Sequence, residues 1–400
     1  MRRFAYVHLL FLMLLACSDK PLKTETTPWR PTMHELVLQF EQVLALNGKD
    51  ETFENPEQRQ VLLEDTQKLK KTLMAFHEER AQNMADPLFS YNVQAFSADL
   101  DLALVTLADH KDYLARPILN QTPNYCISCH SRTANGRTDL HLANPLVTGP
   151  LNPAVEVSYL FALRQYDQGV DRARAVIHRS TEEKERFHAL VNAANILIRI
   201  ERDPKEAKRL FQFYLESSRK KTPWTKDVKA WVQSYPLWSS KIYFGENPAS
   251  MDQIRDLLKA SLKHSDLKMA FPELMVASEN LHHILAQSQE RDESYFQALF
   301  YLGVTYNSLN PIYPNHAYEA FYKRCIRDIP NSKVAKSCYT NLASRLKSGS
   351  YSTLPEERKK KIDRELQELE TLANDQENIL LKQMEDSMLD FGDRVRQESH

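Results

Sequence analysis

Glycine is nearly missing from this chain, with eight residues in 400. That is about a third of the usual frequency, so the positive-φ turns that join tight β-hairpins are scarce. An excess of charge is missing too: 52 basic and 53 acidic side chains leave a formal net charge of -1. Such a chain offers no basic field to nucleic acid. Beyond the first 16 residues no segment is apolar enough to span a bilayer. Also lacking are a phosphate-binding glycine loop, a His-Glu-x-x-His pair and a Ser/His/Asp arrangement with supporting context. What remains is 42% hydrophobic, enough for two domains with cores of their own and too much for wholesale disorder. An all-α protein is the expectation.

Cysteine is rare as well, and its placement is informative. Of five cysteines, two stand in Cys126-Ile127-Ser128-Cys129-His130. Thiols three positions apart with a histidine directly after them read as a c-type haem attachment site. On a helix both sulfurs lie on one face and can reach the two vinyl groups of one porphyrin. His130 can then turn its imidazole to the iron as proximal ligand. Thr122 as N-cap and Pro123 at the first helical position mark a helix start, and Gly136 offers a stop. A zinc knuckle would need a second ligand pair nearby, and a thioredoxin-like motif would need a βαβ setting. One covalent haem c is therefore expected.

The N-terminus carries a targeting signal. Arg2 and Arg3 precede an apolar run from Phe4 to Leu15, too short to span a bilayer comfortably. Leu14-Leu15-Ala16-Cys17 resembles a bacterial lipobox, which implies removal of residues 1–16 and lipid on Cys17. Leu15 is larger than that box prefers. Ser18 beside the cysteine implies sorting to the periplasmic face of the outer membrane. Export agrees with the haem reading, because c-type haem is attached outside the cytoplasm. Cys325 and Cys338 are then left as an even pair in an oxidising compartment.

Residues 17–31 read as a tether. Thr32 is the expected cap of a first helix bearing Met33, Leu36, Val37, Phe40, Val43, Leu44 and Leu46, closed by Asn47-Gly48. A second is expected from Pro56 to Met84, and a third from Tyr91 to Tyr113. The fourth starts near Pro123 and carries the haem motif. Four helices with Cys-x-x-Cys-His on the last resemble the cytochrome c-prime family, including its low-spin, methionine-ligated relatives. The resemblance covers Thr32 to Arg137 and implies an antiparallel four-helix bundle over 32–143. It also implies a distal residue from the first helix, which points to Met33 as sixth ligand. His34 is the nearest competitor; Met74, His77, Met84, His110 and His141 are weaker ones. Arg132 and Arg137 are candidates to pair with haem propionates.

A proline-containing linker spans 144–153. Beyond it, Ala173-x-x-x-Ile177 and Ala207-x-x-x-Phe211 recur at a period of 34, the second after a tight turn at Arg202-Asp203-Pro204. Leu302-Gly303-x-x-Tyr306, Ala317-x-x-x-Phe321 and Pro330 form a better unit. These match a tetratricopeptide pattern, and 154–350 is expected to be an irregular α-solenoid whose concave side receives a partner. Trp224, Trp231 and Trp238 recur every seven residues; such a stripe more commonly fills a core than lines an exposed surface. Cys325 and Cys338 flank a turn and are placed for a disulfide across a helix hairpin. Residues 351–400 are rich in Glu, Lys and Gln and read as a charged helix.

The function these features imply is electron transfer by a lipid-anchored monohaem cytochrome whose repeats dock a redox or scaffold protein. An adaptor or a haem-based gas or redox sensor is the alternative, if the haem is five-coordinate. A peroxidase is a third, set back by the single attachment motif. No catalytic residue is assigned.

Overall fold

The computed structural model describes residues 30–80, 87–132, 152–217, 221–288, 291–312, 316–348, 351–352 and 354–374. The expected lipid site Cys17, the competitors Met84 and His141, the helix stop Gly136 and Arg137 lie outside the described residues. The chain is all-helical, and no strand occurs among the described residues. Its prolines fit this fold because many sit in first turns, where a missing N–H costs nothing. Pro123, Pro153, Pro236 and Pro272 all do so.

The N-terminal part runs α1 (Arg30–Asn47), α2 (Asp50–Glu54), α3 (Pro56–Arg80), α4 (Pro87–Ala108), α5 (Asp112–Gln121) and α6 (Pro123–His130). Four expectations need correction. Thr32 caps nothing, since α1 already starts at Arg30. The third helix starts at Pro87 and stops at Ala108, because His110 takes a left-handed φ of 56°. An additional helix, α5, follows, with Pro117 inside it. Thr122 is itself helical, and its hydroxyl donates back to the Leu119 carbonyl at 2.6 Å instead of capping α6. The motif helix is thus the sixth, not the fourth. Leu44, Leu62, Leu100, Leu107 and Leu119 are fully buried between α1, α3, α4 and α5. Arg59 of α3 bridges to Asp112 of α5, its Nη2 lying 3.0 Å from Oδ2.

The second part begins with α7 (Pro153–Ala162), α8 (Tyr166–Arg179), α9 (Glu183–Arg199), α10 (Pro204–Ser217), α11 (Thr225–Gln233) and α12 (Tyr235–Trp238). It continues with α13 (Met251–Ser261), α14 (Phe271–Gln287), α15 (Glu293–Leu309), α16 (Tyr318–Asp328), α17 (Lys333–Lys347) and α18 (Glu356–Ala373). Short side chains start several of them: Asn152, Asp292 and Ser332 each accept a first-turn N–H. Ser250 and Gln253 cap α13 reciprocally. Trp231 and Trp238 are fully buried, and Trp224 stacks on Phe187 at 4.6 Å, so the tryptophan stripe is core. Tyr306 and Phe321 stack face to face, their centroids 5.5 Å apart. Cys325 of α16 and Cys338 of α17 are joined by a disulfide across their hairpin. Leu366, Leu369 and Ala373 of α18 are buried against α16 and α17.

The two parts share their cores. Tyr159 and Leu163, from the start of the second part, enter the first core, while Leu88 and Ile127 of the first part enter the second. Helix α16 packs on α4, and α6 packs between α4 and α7. Helices α9, α14 and α15 are buried on nearly every face.

Candidate functional site

Helix α6 is held from three sides. Tyr125 stacks on Phe96 at 5.4 Å and donates its hydroxyl to Asp99 at 2.7 Å. Ile127 is fully buried in the second core. Asn92 of α4 directs its Nδ2 at Ser128 Oγ (3.1 Å) and Cys129 Sγ (3.3 Å), while its buried Oδ1 has no hydrogen-bond partner. These contacts fix the rotation of the helix and so the face on which its sulfurs stand.

Cys126 and Cys129 are both free thiols, and each keeps part of its surface open. Cys126 packs against both cores, and burial pushes its thiol up to about 12. The i, i+3 spacing survives in the fold, and both sulfurs project from one helix face.

His130 ends the helix, and its Nδ1 lies 2.9 Å from the carbonyl oxygen of Ala162. A carbonyl can only accept, so Nδ1 carries the proton and Nε2 keeps its lone pair. Burial, then the guanidinium of Arg164, lowers the imidazole pKa to about 3, with Arg132 adding to the effect. The ring is neutral at physiological pH. A neutral imidazole with one nitrogen donated to a carbonyl is the form that binds a metal through the other.

Two arginines adjoin the motif, one just after its helix and one just after α7. Arg132 is 6% exposed; its Nε donates to the Ser128 carbonyl at 2.6 Å and its Nη2 reaches Cys129 Sγ at 3.4 Å. Arg164 follows α7, and its backbone has a left-handed φ of 62°. Its N–H bonds to the Phe161 carbonyl and that of Gln165 to Leu160, the paired bonds of a helix-terminating Schellman turn. Glycine ordinarily fills that left-handed position; an arginine there costs about 1 kcal/mol of backbone strain.

The C-terminal end of the motif runs into a buried polar network. Asn195 Nδ2 donates to Ser131 Oγ at 3.3 Å. One turn further along α9, Arg199 donates to Ser278 and to the Tyr306 hydroxyl, which lies 2.8 Å from His282 Nε2. Burial keeps His282 neutral, and the charges of Arg132 and Arg199 reinforce this.

The other sequence candidates are dispersed. Met33 is half-buried against the first core, His34 and His110 are exposed, and Met74 packs at the edge of that core. His77 stacks on Phe89 at 6.2 Å, and its Nε2 is buried without a hydrogen-bond partner. Ala162, Arg164 and Asn92 escaped the sequence reading. A backbone carbonyl has no signature in sequence, and nothing local marks Arg164 as left-handed.

The side chains present fit a porphyrin held through two thioethers. Cys126 and Cys129 could supply the sulfurs and His130 a ring nitrogen, with the Arg132 cation beside them. Among the described residues no group of three or more His, Cys, Asp and Glu could hold a metal ion unaided. No described helix is long and apolar enough to cross a membrane. No protein-family model, curated protein or solved structure matches the chain.

Proposed function

We propose that this protein is a monohaem c-type cytochrome, tethered by lipid on Cys17 to the periplasmic face of the outer membrane, that passes electrons to or from a protein partner. The observation that carries this reading is the state of His130: neutral, with its Nδ1 proton committed to the Ala162 carbonyl, at the end of a helix bearing two free thiols. In this reading Cys126 and Cys129 would hold one haem covalently and His130 would ligate its iron, with Met33 as the candidate second ligand. Helices α1–α6 form a cytochrome c-prime-like bundle, and α7–α17 a degenerate helical-repeat solenoid that holds the partner.

When bound, the haem supplies a one-electron iron couple. The chain's own residues set the conditions. The Ala162 carbonyl orients the imidazole and raises its basicity, which strengthens ligation. Packing of Cys126 against both cores holds the motif helix in place and limits reorganisation. Asn92 and Arg132 fix the position of Cys129.

The test is a pyridine haemochrome spectrum of the denatured protein, expressed with a c-type maturation system. A c-type band that survives acid–acetone extraction is expected, and it should vanish in the Cys126→Ala, Cys129→Ala double variant. A wild-type protein without covalent pigment would overturn the proposal. A reduced spectrum that shifts with carbon monoxide would replace electron transfer by gas binding.

A further inference from the structure

We infer that the corner where α4 meets α5 is a second membrane contact, an apolar surface that seats on the bilayer beside the lipid on Cys17. The inference rests on the lipid-tether reading above and adds a binding surface to it.

The corner gathers exposed apolar side chains. Nine large hydrophobic residues are exposed among the described residues, and Val61, Leu102, Val105, Tyr113 and Leu114 are five of them. Leu102 and Val105 stand one turn apart on α4, and Tyr113 and Leu114 open α5. The link between the helices is tight: the Asp109 N–H bonds to the Val105 carbonyl and the Lys111 N–H to that of Thr106. Arg59 of α3 bonds to Asp112, which brings the start of α3, with Val61, to the same end of the bundle. Tyr113 is 74% exposed. Apolar residues scattered singly over a surface call for no explanation, but a group of this kind marks a contact.

The surrounding charges suit an uncharged surface. Asp101 is paired with Lys70, Asp109 with Lys111 and Asp112 with Arg59. These carboxylates are answered within the chain, so they neither repel a bilayer nor call for a charged partner. Tyr113 and Lys111 have the shape that settles at headgroup level, an apolar body with a polar tip.

Chain length brings the bilayer within reach. Asn47, the last residue of α1, donates to Asn120 of α5 at 2.9 Å, so α5 lies at the end of the bundle remote from Arg30. The 18 residues of α1 span about 27 Å. The 13 peptide steps from Cys17 to Arg30 reach up to about 45 Å. Lipid and corner can therefore enter one bilayer together, and the anchor holds the membrane at high effective concentration. Asn92, which touches Cys129, belongs to the other end of α4, so the contact does not use the cysteine motif.

The test uses the full-length protein on phosphatidylcholine vesicles in excess, with and without bromine in the acyl chains. Emission added by Tyr113→Trp should be quenched about twofold by the brominated lipid. Leu102→Glu and Val105→Glu in the same protein should abolish that quenching without loss of helical content. Emission from Tyr113→Trp that bromine leaves unchanged, or that it quenches equally in the triple variant, would overturn the inference. So would quenching replaced by a chemically cross-linked dimer through this corner, which would assign the surface to a second copy. The mass of the Cys17 peptide is measured first. Absence of acyl chains there would sink the tether reading alone, because quenching at excess lipid is read with or without the anchor.

Discussion

The backbone of Gly303 lies directly against the ring of Tyr322: a Cβ atom at 303 would stand 2.5 Å from two of its carbons. Both residues are buried between α15 and α16, and the Tyr322 hydroxyl has no hydrogen-bond partner. The ring cannot easily swing away, because Tyr318 packs against it with centroids 6.4 Å apart. Gly303→Ala is therefore expected to destabilise the protein by about 1–3 kcal/mol through overpacking. Urea unfolding of Gly303→Ala beside Gly303→Ala, Tyr322→Leu tests this. The second substitution should recover part of the loss, and equal stability of Gly303→Ala and wild type would refute the contact.

Gly303, Tyr306 and Phe321 were legible because their spacing repeats a helix-hairpin pattern, and the cysteine motif because five consecutive residues carry its chemistry. Helix α5 was not legible: Pro117 interrupts a short stretch that has the length of a link. The partners of the motif were hidden for another reason. Ala162 acts through its backbone carbonyl, more than thirty positions from His130. The burial of α9, α14 and α15 on nearly every face likewise reflects packing among successive helices of the second part, which periodicity within one helix cannot report.

The proposed haem would take its sixth ligand from one of two side chains. Met33 belongs to the helix from which the resemblance takes a distal residue, and it packs at the edge of the first core. His77 presents a buried, unpartnered Nε2 beside Phe89. With Met33 as ligand, Met33→Ala should lose the near-infrared methionine–iron band, turn high-spin and bind carbon monoxide when reduced. His77→Ala should then remain low-spin. The opposite pattern would assign the ligand to His77.

The hairpin of α16 and α17 is fastened by Cys325–Cys338, with a sequence separation of 13. Closing a loop of that length stabilises by about 3 kcal/mol in the chain-entropy model. Reduction should lower the unfolding midpoint of the wild type, and the Cys325→Ser, Cys338→Ser double variant should start low and be insensitive to reductant. Covalent haem content should not change, because neither cysteine belongs to the motif. If reductant shifts the double variant as far as the wild type, the stabilisation lies elsewhere.

Glu279 supplies a pH test of the inner helices. It is 8% exposed; Arg202 Nη1 reaches its Oε1 at 2.8 Å and Asn280 Nδ2 its Oε2 at 3.0 Å. Burial outweighs the pull of Arg202 and Arg199 and raises its carboxyl from the ordinary 4.5 to about 7. Between those values the folded protein holds a proton that the unfolded chain releases. The associated stabilisation is fully present below 4.5 and is lost as pH rises through about 7. Comparison with Glu279→Gln isolates the carboxyl, since every other titrating group is common to both proteins. From pH 4.5 to 7.5, wild type should lose about 3 kcal/mol relative to Glu279→Gln, given about 1.36 kcal/mol per pKa unit. Urea midpoints at several pH values measure the difference, and parallel curves would show that Glu279 enters the fold already ionised.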